Sequence, residues 1–363
     1  MKKSQVKHPE QTSLPKASCS FIAANGYRGF RSRFDDVFRI AEYDHLFIIK
    51  GGPGTGKSHA MKQIAKNAEK IGADCEYIFC SSDPDSLDGL ILKKGSRRIG
   101  MLDGTAPHTR CTQIPGAVDE IVNLGAFWDS AKLSPHRERI SSLQQKKADA
   151  YRRAYRFLRI AGEADCFLSD LLEPCIRKEK LNKAIERVIR QIPTDENPSV
   201  SIRYRQACSM KGGVYLPTEA KKTVVITDYM DSARFYLSNL KKTVQAQGKH
   251  SCTLFPSCYT DSVVDGILFP SCGILFTGKE EADGDAINMK RFLDNARLSL
   301  CRTQIRRLRS TRNQMQDHAV EALKEVGEYH FALEAIYGGA MNFEEKEAYV
   351  DSLSQKINAY LQE

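Results

Sequence analysis

Residues 46–58 read LFIIKGGPGTGKS. A short apolar strand, Leu46 to Ile49, runs into Gly51-x-x-x-x-Gly56-Lys57-Ser58, the full spacing of a phosphate-binding P-loop. The spacing predicts a helix next, because Ala60, Met61, Ile64, Ala65, Ala68 and Ile71 recur at a 3.6-residue period and Gly72 supplies a stop. The residue types suit phosphate chemistry. Glycines let backbone N–H groups wrap closely around an anion. A helix start adds partial positive charge where that anion sits. On this reading Gly51, Gly52, Pro53, Gly54, Thr55 and Gly56 cradle the phosphates of ATP, Lys57 reaches the terminal ones, and Ser58 ligates Mg²⁺.

Such a site needs a second contact to Mg²⁺ at the end of a neighbouring strand. Residues 98–108 read RIGMLDGTAPH, and Asp103 ends the short apolar strand Ile99 to Leu102. Asp103 is therefore the expected Walker-B acid. Gly104 follows it where ring-forming ATPases place a water-activating Glu, which argues against that class. Between the two motifs, residues 76–89 read EYIFCSSDPDSLDG. Ligands of open parallel sheets bind beyond the carboxyl ends of the strands. Asp83 or Asp85 is thus a candidate to hold a substrate hydroxyl, act as base or orient water. Asp-Pro-Asp-Ser is also ordinary turn chemistry, and Asp88 is expected to close that turn. His108 is a candidate phosphate contact, although a lone loop histidine is more often structural. Trp128 is expected to pack, and Arg28, Arg97 and Arg98 are candidate arginine fingers.

The second half repeats the first. The string 221–248, KKTVVITDYMDSARFYLSNLKKTVQAQG, echoes 45–72; CTLFPSCYTDSVVDGILF (252–269) echoes 75–92; GILFTG (273–278) echoes IGMLDG (99–104). With Phe47–Ile49 set on Val224–Ile226 and no gap after them, Gly51 falls on Asp228, Gly56 on Ala233, Lys57 on Arg234 and Ser58 on Phe235, while GILFTG set on IGMLDG puts Asp103 on Thr277. An Asp where backbone must face phosphate is repulsive, and Phe cannot ligate a metal, so the second copy is expected to have lost its nucleotide site. Each half continues into an amphipathic helical segment, marked by Tyr151, Ala154, Leu158, Ala161 and Leu168 in the first and by Ala319, Leu323, Val326, Leu333 and Ile336 in the second. These segments are expected to form antiparallel helix pairs flanking each sheet.

The chain has 363 residues, 41% hydrophobic and 27% charged, which excludes collagen, low-complexity disorder and a coiled-coil rod. No apolar run approaches the ~18–20 residues of a membrane span. No apolar stretch follows the basic N-terminus, so no secretory signal is expected. Eleven cysteines, an odd number without a CxxC pair, fit reduced thiols in a cytoplasmic protein. The net charge of +9 suits an anionic partner, yet is ordinary for solubility. Residues 132–159 and 301–313 are rich in Lys and Arg, which reads either as a nucleic-acid surface or as a solvated helix face.

The strings GGPGTGKS, CSSDPDSLDG, LDGTAPH and PGAVDEIVNLG (115–125), with the tandem arrangement, resemble an uncharacterised bacterial family of double P-loop ATPase-like proteins. The resemblance covers most of the chain. It implies two P-loop lobes in one chain and ATP binding, and it supplies no substrate. Family members often carry a Walker-A type loop in both lobes; this sequence departs from that in its second. The expected fold is α/β, two P-loop NTPase-like three-layer lobes with mostly parallel sheets, each with an appended helical segment. The expected division is a flexible N-terminus at 1–20, an active lobe at 21–195 and a degenerate lobe at 200–363. The expected function is Mg-ATP binding at the first lobe with ATP hydrolysis or γ-phosphoryl transfer, a small-molecule kinase being one form of it. The alternative is a nucleotide-gated module contacting nucleic acid or a protein through its basic helices. No membrane partner is expected.

Overall fold

The computed structural model describes residues 18–260, 263–278 and 285–363. The expected flexible segment at 1–20 lies, as far as residue 17, outside the described residues. The first half runs β1 (Ser18–Phe21), β2 (Ala23–Gly26), β3 (Gly29–Ser32), α1 (Phe34–Val37), β4 (His45–Lys50), α2 (Lys57–Lys70), β5 (Asp74–Phe79), β6 (Leu87–Lys94), β7 (Arg97–Asp103), β8 (Asp119–Asn123), α3 (Ser130–Leu133), α4 (Arg137–Leu172) and α5 (Lys178–Ile189). The second runs β9 (Val200–Ile202), β10 (Gln206–Ser209), β11 (Gly212–Tyr215), β12 (Lys222–Thr227), α6 (Ala233–Gln247), β13 (Cys252–Pro256), β14 (Val264–Phe269), β15 (Ile274–Thr277), β16 (Ala286–Asn288), α7 (Asn295–Gly338) and α8 (Phe343–Gln362).

Each half builds a six-stranded sheet, ordered β1-β5-β6-β7-β4-β8 and β9-β13-β14-β15-β12-β16. The two orders are equivalent strand for strand. Each half also has a separate two-stranded hairpin, β2-β3 and β10-β11. The sheets are mixed rather than mostly parallel, because β6 and β14 run antiparallel to both of their neighbours. Only Gly95 and Ser96 separate β6 from β7, with Gly95 at φ 57°. A parallel connection needs a dozen or more residues, so a two-residue link forces a hairpin.

In the first lobe β4 is buried from Leu46 to Ile49 between β7 and β8. Phe47 and Ile49 face α2, which buries Ala60, Met61, Ile64, Ala65 and Ala68. Leu46 and Ile48 face the other way, onto a cluster with Phe34, Val37 and Phe38. The one-turn α1 and its aromatic neighbours cover that face in place of a full helical layer.

The helical extensions pack crosswise instead of flanking their own sheets. α4, 36 residues long, and α7, 44 residues long, lie antiparallel, with Ala150, Ala154 and Leu158 against Ala319, Leu323 and Val326. α4 starts beside the first lobe and ends in the second, where Leu168 and Leu172 join the core. α7 makes the reverse crossing. As a result α5 places Leu181, Ile185 and Ile189 against α6, while α8 places Val350, Leu353 and Ile357 against α2. The crossings match as a pseudo-twofold pair. Asn342 N donates to Phe127 O at 2.9 Å and Arg177 N to Phe292 O at 2.8 Å; Tyr27 N donates to Tyr259 O at 3.0 Å and Met210 N to Ser82 O at 2.9 Å.

The crosswise packing predicts where a core defect is felt. Ile357→Ala removes a fully buried side chain and should cost about 2–5 kcal/mol. Amide hydrogen exchange of the variant should rise first in α2 and the first sheet, and not in α5 or α6.

Candidate functional site

The glycine-rich loop joins β4 to α2 and turns on positive φ angles, 73° at Gly54 and 76° at Gly56. Thr55 is buried and its hydroxyl donates to Gly52 O at 2.9 Å. The loop is crowded from outside. A Cβ at Gly52 would lie 3.2 Å from the Trp128 ring, and one at Gly54 would lie 2.5 Å from Glu334 O, on α7 of the other half. Trp128 therefore packs, under the loop and against Tyr337.

Lys57 Nζ donates to Gly51 O and Gly52 O, both at 2.9 Å, and sits 3.6 Å from Asp103 Oδ2. Asp103 ends β7 directly beside β4, paired with Ile49. Its Oδ1 accepts the N–H and hydroxyl of Thr105, at 2.8 and 2.6 Å, which leaves Oδ2 facing Lys57. Ser58 Oγ accepts Leu87 N–H at 2.9 Å. Lys57, Ser58 and Asp103 thus meet at one end of the sheet, at a helix N-terminus, as a phosphate and Mg²⁺ would require. Pro53 is half-buried in the same loop. Gly104 has a local cause: a Cβ there would come within 2.4 Å of Ile48 Cγ2, so a glutamate does not fit.

Asp83 and Asp85 lie in the β5–β6 turn that meets Ser58 through Leu87. Asp83 is buried, accepts the Ser86 hydroxyl at 2.6 Å and pairs with Lys211 at 2.9 Å. Burial would raise its carboxyl, but the Ser86 hydroxyl and Lys211 hold it below the ordinary value. That makes Asp83 a poor proton acceptor and a firm fixed charge. Asp85, 72% exposed at its side chain, also pairs with Lys211. Asp88 does not close the turn; it lies inside β6, buried, with Oδ2 3.4 Å from His108 Nε2. His108 stacks on Phe34 at 4.3 Å between ring centroids. Arg97 and Arg98 open β7, at the opposite end of that strand from Asp103, and pair with Asp44 and Glu42, so neither is a finger for this site. Arg28 donates to its neighbour Tyr27, whose side chain packs on Gly162 of α4.

Three lysines belong to the surroundings; sequence reading did not single out Lys211 or Lys346 and took Lys147 only as part of the basic run 132–159. Lys211 comes from the β10–β11 turn of the second half. Lys147, on α4, is held below the ordinary lysine value by burial and by the like charge of Lys57, against the pull of Glu334. Lys346, on α8, reaches Gly56.

The equivalent place in the second lobe differs by one residue. Five residues, 228–232, join β12 to α6, where six, 51–56, join β4 to α2. The buried helix positions Tyr236, Leu237, Leu240 and Val244 match Ala60, Met61, Ile64 and Ala68. Lys57 therefore corresponds to Ala233 and Ser58 to Arg234, correcting the ungapped pairing. Gly89 pairs with Leu102 and Gly266 with Thr277, so Gly278 stands in the place of Asp103. Met230 and Asp231 keep positive φ, 58° and 67°, without glycine. A polar cavity of about 360 Å³ remains here. Asp165 of α4 binds Arg234 through both oxygens, at 2.8 and 2.9 Å, and Arg312 of α7 at 2.9 Å. Arg309 pairs with Asp231 at 2.7 Å. Part of the basic run 301–313 is thus spent inside the protein.

All eleven cysteines are free thiols, and only Cys111 is exposed. Among the described residues no helix is long and apolar enough to cross a membrane. A family model described as Nephrocystin 3, N-terminal, matches residues 31–90, from β3 through the glycine-rich loop and α2 into β6. No curated protein and no solved structure matches the chain.

Burial alone would raise the Asp165 carboxyl, but Arg234 and then Arg312 outweigh it and hold it below the ordinary value. Its contribution to stability is therefore full above the unfolded carboxylate pKa, ~3.9, and fades as pH falls through the folded value. Asp165→Ala leaves two arginines without their shared counter-charge and should cost about 3–5 kcal/mol in urea unfolding at pH 7. The gap to wild type should narrow below pH 4.

Proposed function

We propose that the chain binds Mg-ATP at the first lobe and hydrolyses it or transfers its γ-phosphoryl group. The observation that carries this reading is the meeting of Lys57, Ser58 and Asp103 at the N-terminus of α2, in one lobe only. Backbone N–H groups of 51–57, Pro53 excepted because it has none, would bind the phosphates, with Lys57 moving from the Gly51 and Gly52 carbonyls to phosphate oxygens. Ser58 and Asp103 would hold Mg²⁺, which supplies charge neutralisation to the phosphates when bound. Asp83, kept ionised by Lys211, would orient the nucleophile rather than take its proton. Asp85 reaches the same lysine from a more exposed position. The resemblance to double P-loop proteins supports ATP as the nucleotide.

A second reading is a nucleotide-gated binding module. Gly54 touches the Glu334 carbonyl of α7, so loop occupancy would be felt by the long helical arm. Arg306 and Arg307 remain exposed on that arm and could meet nucleic acid or a protein. Nucleic-acid binding that falls steeply with salt and changes with ATP would favour this reading.

Calorimetric titration of Mg-ATP tests the main proposal. One site per chain is expected, with Lys57→Ala weakening affinity at least tenfold to a hundredfold through loss of a charged hydrogen bond. Two sites per chain would mean that residues 228–232 also bind, and no heat at millimolar ATP would sink the proposal. Phosphate release without an acceptor identifies an ATPase; turnover that needs a small acceptor identifies a kinase.

A further inference from the structure

Lys346 sits on α8, in the second half of the chain, yet packs on the first lobe. Its side chain is 1% exposed. A Cβ built on Gly56 would stand 3.2 Å from its Nζ, so the ammonium abuts the turn where the loop enters α2. Its salt-bridge partner is Glu347, the next residue and partly exposed. Lysine is almost never buried this fully without pairing.

The internal repeat shows what this position holds elsewhere. Asn342 N and Arg177 N make the matching crossings between halves. One helical turn later, Lys346 N donates to Asn342 O at 3.2 Å and Leu181 N to Arg177 O at 3.0 Å. Lys346 and Leu181 are therefore equivalent. Val350 and Ser354 then match Ile185 and Ile189, buried in the same order. Leu181 is fully buried and packs in the core of the second lobe, the lobe whose loop has lost its lysine and serine. Packing of this helix needs only an apolar side chain. The lobe that keeps Gly51, Gly56, Lys57 and Ser58 has a cation instead.

We propose that Lys346 is a phosphate-binding residue of the first lobe, delivered by the second half of the chain. When a nucleoside triphosphate binds, Nζ exchanges Glu347 for a phosphate oxygen beside Lys57. Docking of α8 and occupancy of the loop then support each other. The inference rests on the nucleotide-binding reading of this lobe.

The test is titration of Mg-ATP into wild type, Lys346→Leu, Lys346→Arg and Lys57→Ala, with thermal unfolding of each protein in the absence of nucleotide. Lys346→Leu installs the residue of the repeat and should unfold at or above the wild-type temperature. Its affinity for Mg-ATP should fall about tenfold to a hundredfold, and Lys346→Arg should recover most of the loss. Should the leucine variant not fold, Lys346→Gln gives the same comparison. Wild-type affinity in the uncharged variant, with Lys57→Ala still defective, overturns the assignment and leaves the nucleotide site standing. Unfolding well below wild type in both the uncharged and the arginine variants, with unchanged affinity, makes the residue structural and likewise overturns it. No binding by wild type removes the nucleotide reading and this proposal together.

Discussion

The antiparallel pairing of α4 and α7 is the constraint on which the other contacts depend. A 36-residue helix rises roughly 54 Å, enough to carry the chain from one lobe to the other. Whatever follows such a helix must dock far from the sheet that preceded it. The small residues Ala150, Ala154, Ala319 and Ala322 let the two helices approach closely along this span. Once they pair, α5 and α8 are delivered to the opposite lobes. Neither hydrophobic core then closes from its own half of the sequence. The segments that lead into the β2–β3 and β10–β11 hairpins add to this interlock, because Phe21 and Tyr204 exchange backbone hydrogen bonds at 2.9 and 2.7 Å between the halves.

The same scaffold carries two different electrostatic solutions. In the second lobe the charges close on themselves: Asp165 saturates Arg234 and Arg312, and Asp231 takes Arg309. Buried pairs of this geometry are costly to break, since removing one partner strands the other. In the first lobe the contacts of Lys57 are two loop carbonyls and a carboxylate at 3.6 Å. Neutral carbonyl partners are exchangeable for phosphate oxygens, whereas a bidentate arginine–carboxylate pair is not. Loss of one residue from the loop, loss of its lysine and gain of an internal carboxylate partner therefore belong to one change.

Local features were the legible ones. The β4–loop–α2 unit can be read from residues 46–72 because glycine spacing and a 3.6-residue apolar period both act within a few residues. The repeat was legible for the same reason. The antiparallel direction of β6 was also written in the chain, in the Gly95-Ser96 link, which is too short for anything but a hairpin. The one-residue deletion escaped an ungapped comparison, since strands and helices on its two sides each align well in different registers. Crosswise docking of α5 and α8 escaped because it depends on the length of α4 and α7, not on any local pattern. Lys346 left a faint trace, as a lysine on the apolar stripe of α8 where Leu181 stands in the repeat. Its meaning depended on knowing which lobe that stripe covers.

The asymmetry between halves bears on what the second one does. Its own loop is engaged by internal ion pairs, but its residues reach the first lobe repeatedly. Lys211 holds Asp83, the Glu334 carbonyl closes on Gly54, and Lys346 reaches Gly56. A degenerate copy kept only as ballast would need apolar contact with its partner and nothing more. Here one ion pair and two close approaches converge on the turn and the loop around Ser58 and Lys57. A small rotation between halves would move Lys211 and Glu334 together, because the β10–β11 hairpin packs on α7, whereas α8 carries Lys346 on the first lobe itself. The geometry of the first lobe's candidate site is therefore set by the second half, so any chemistry there is a property of the whole chain and not of residues 21–195 alone.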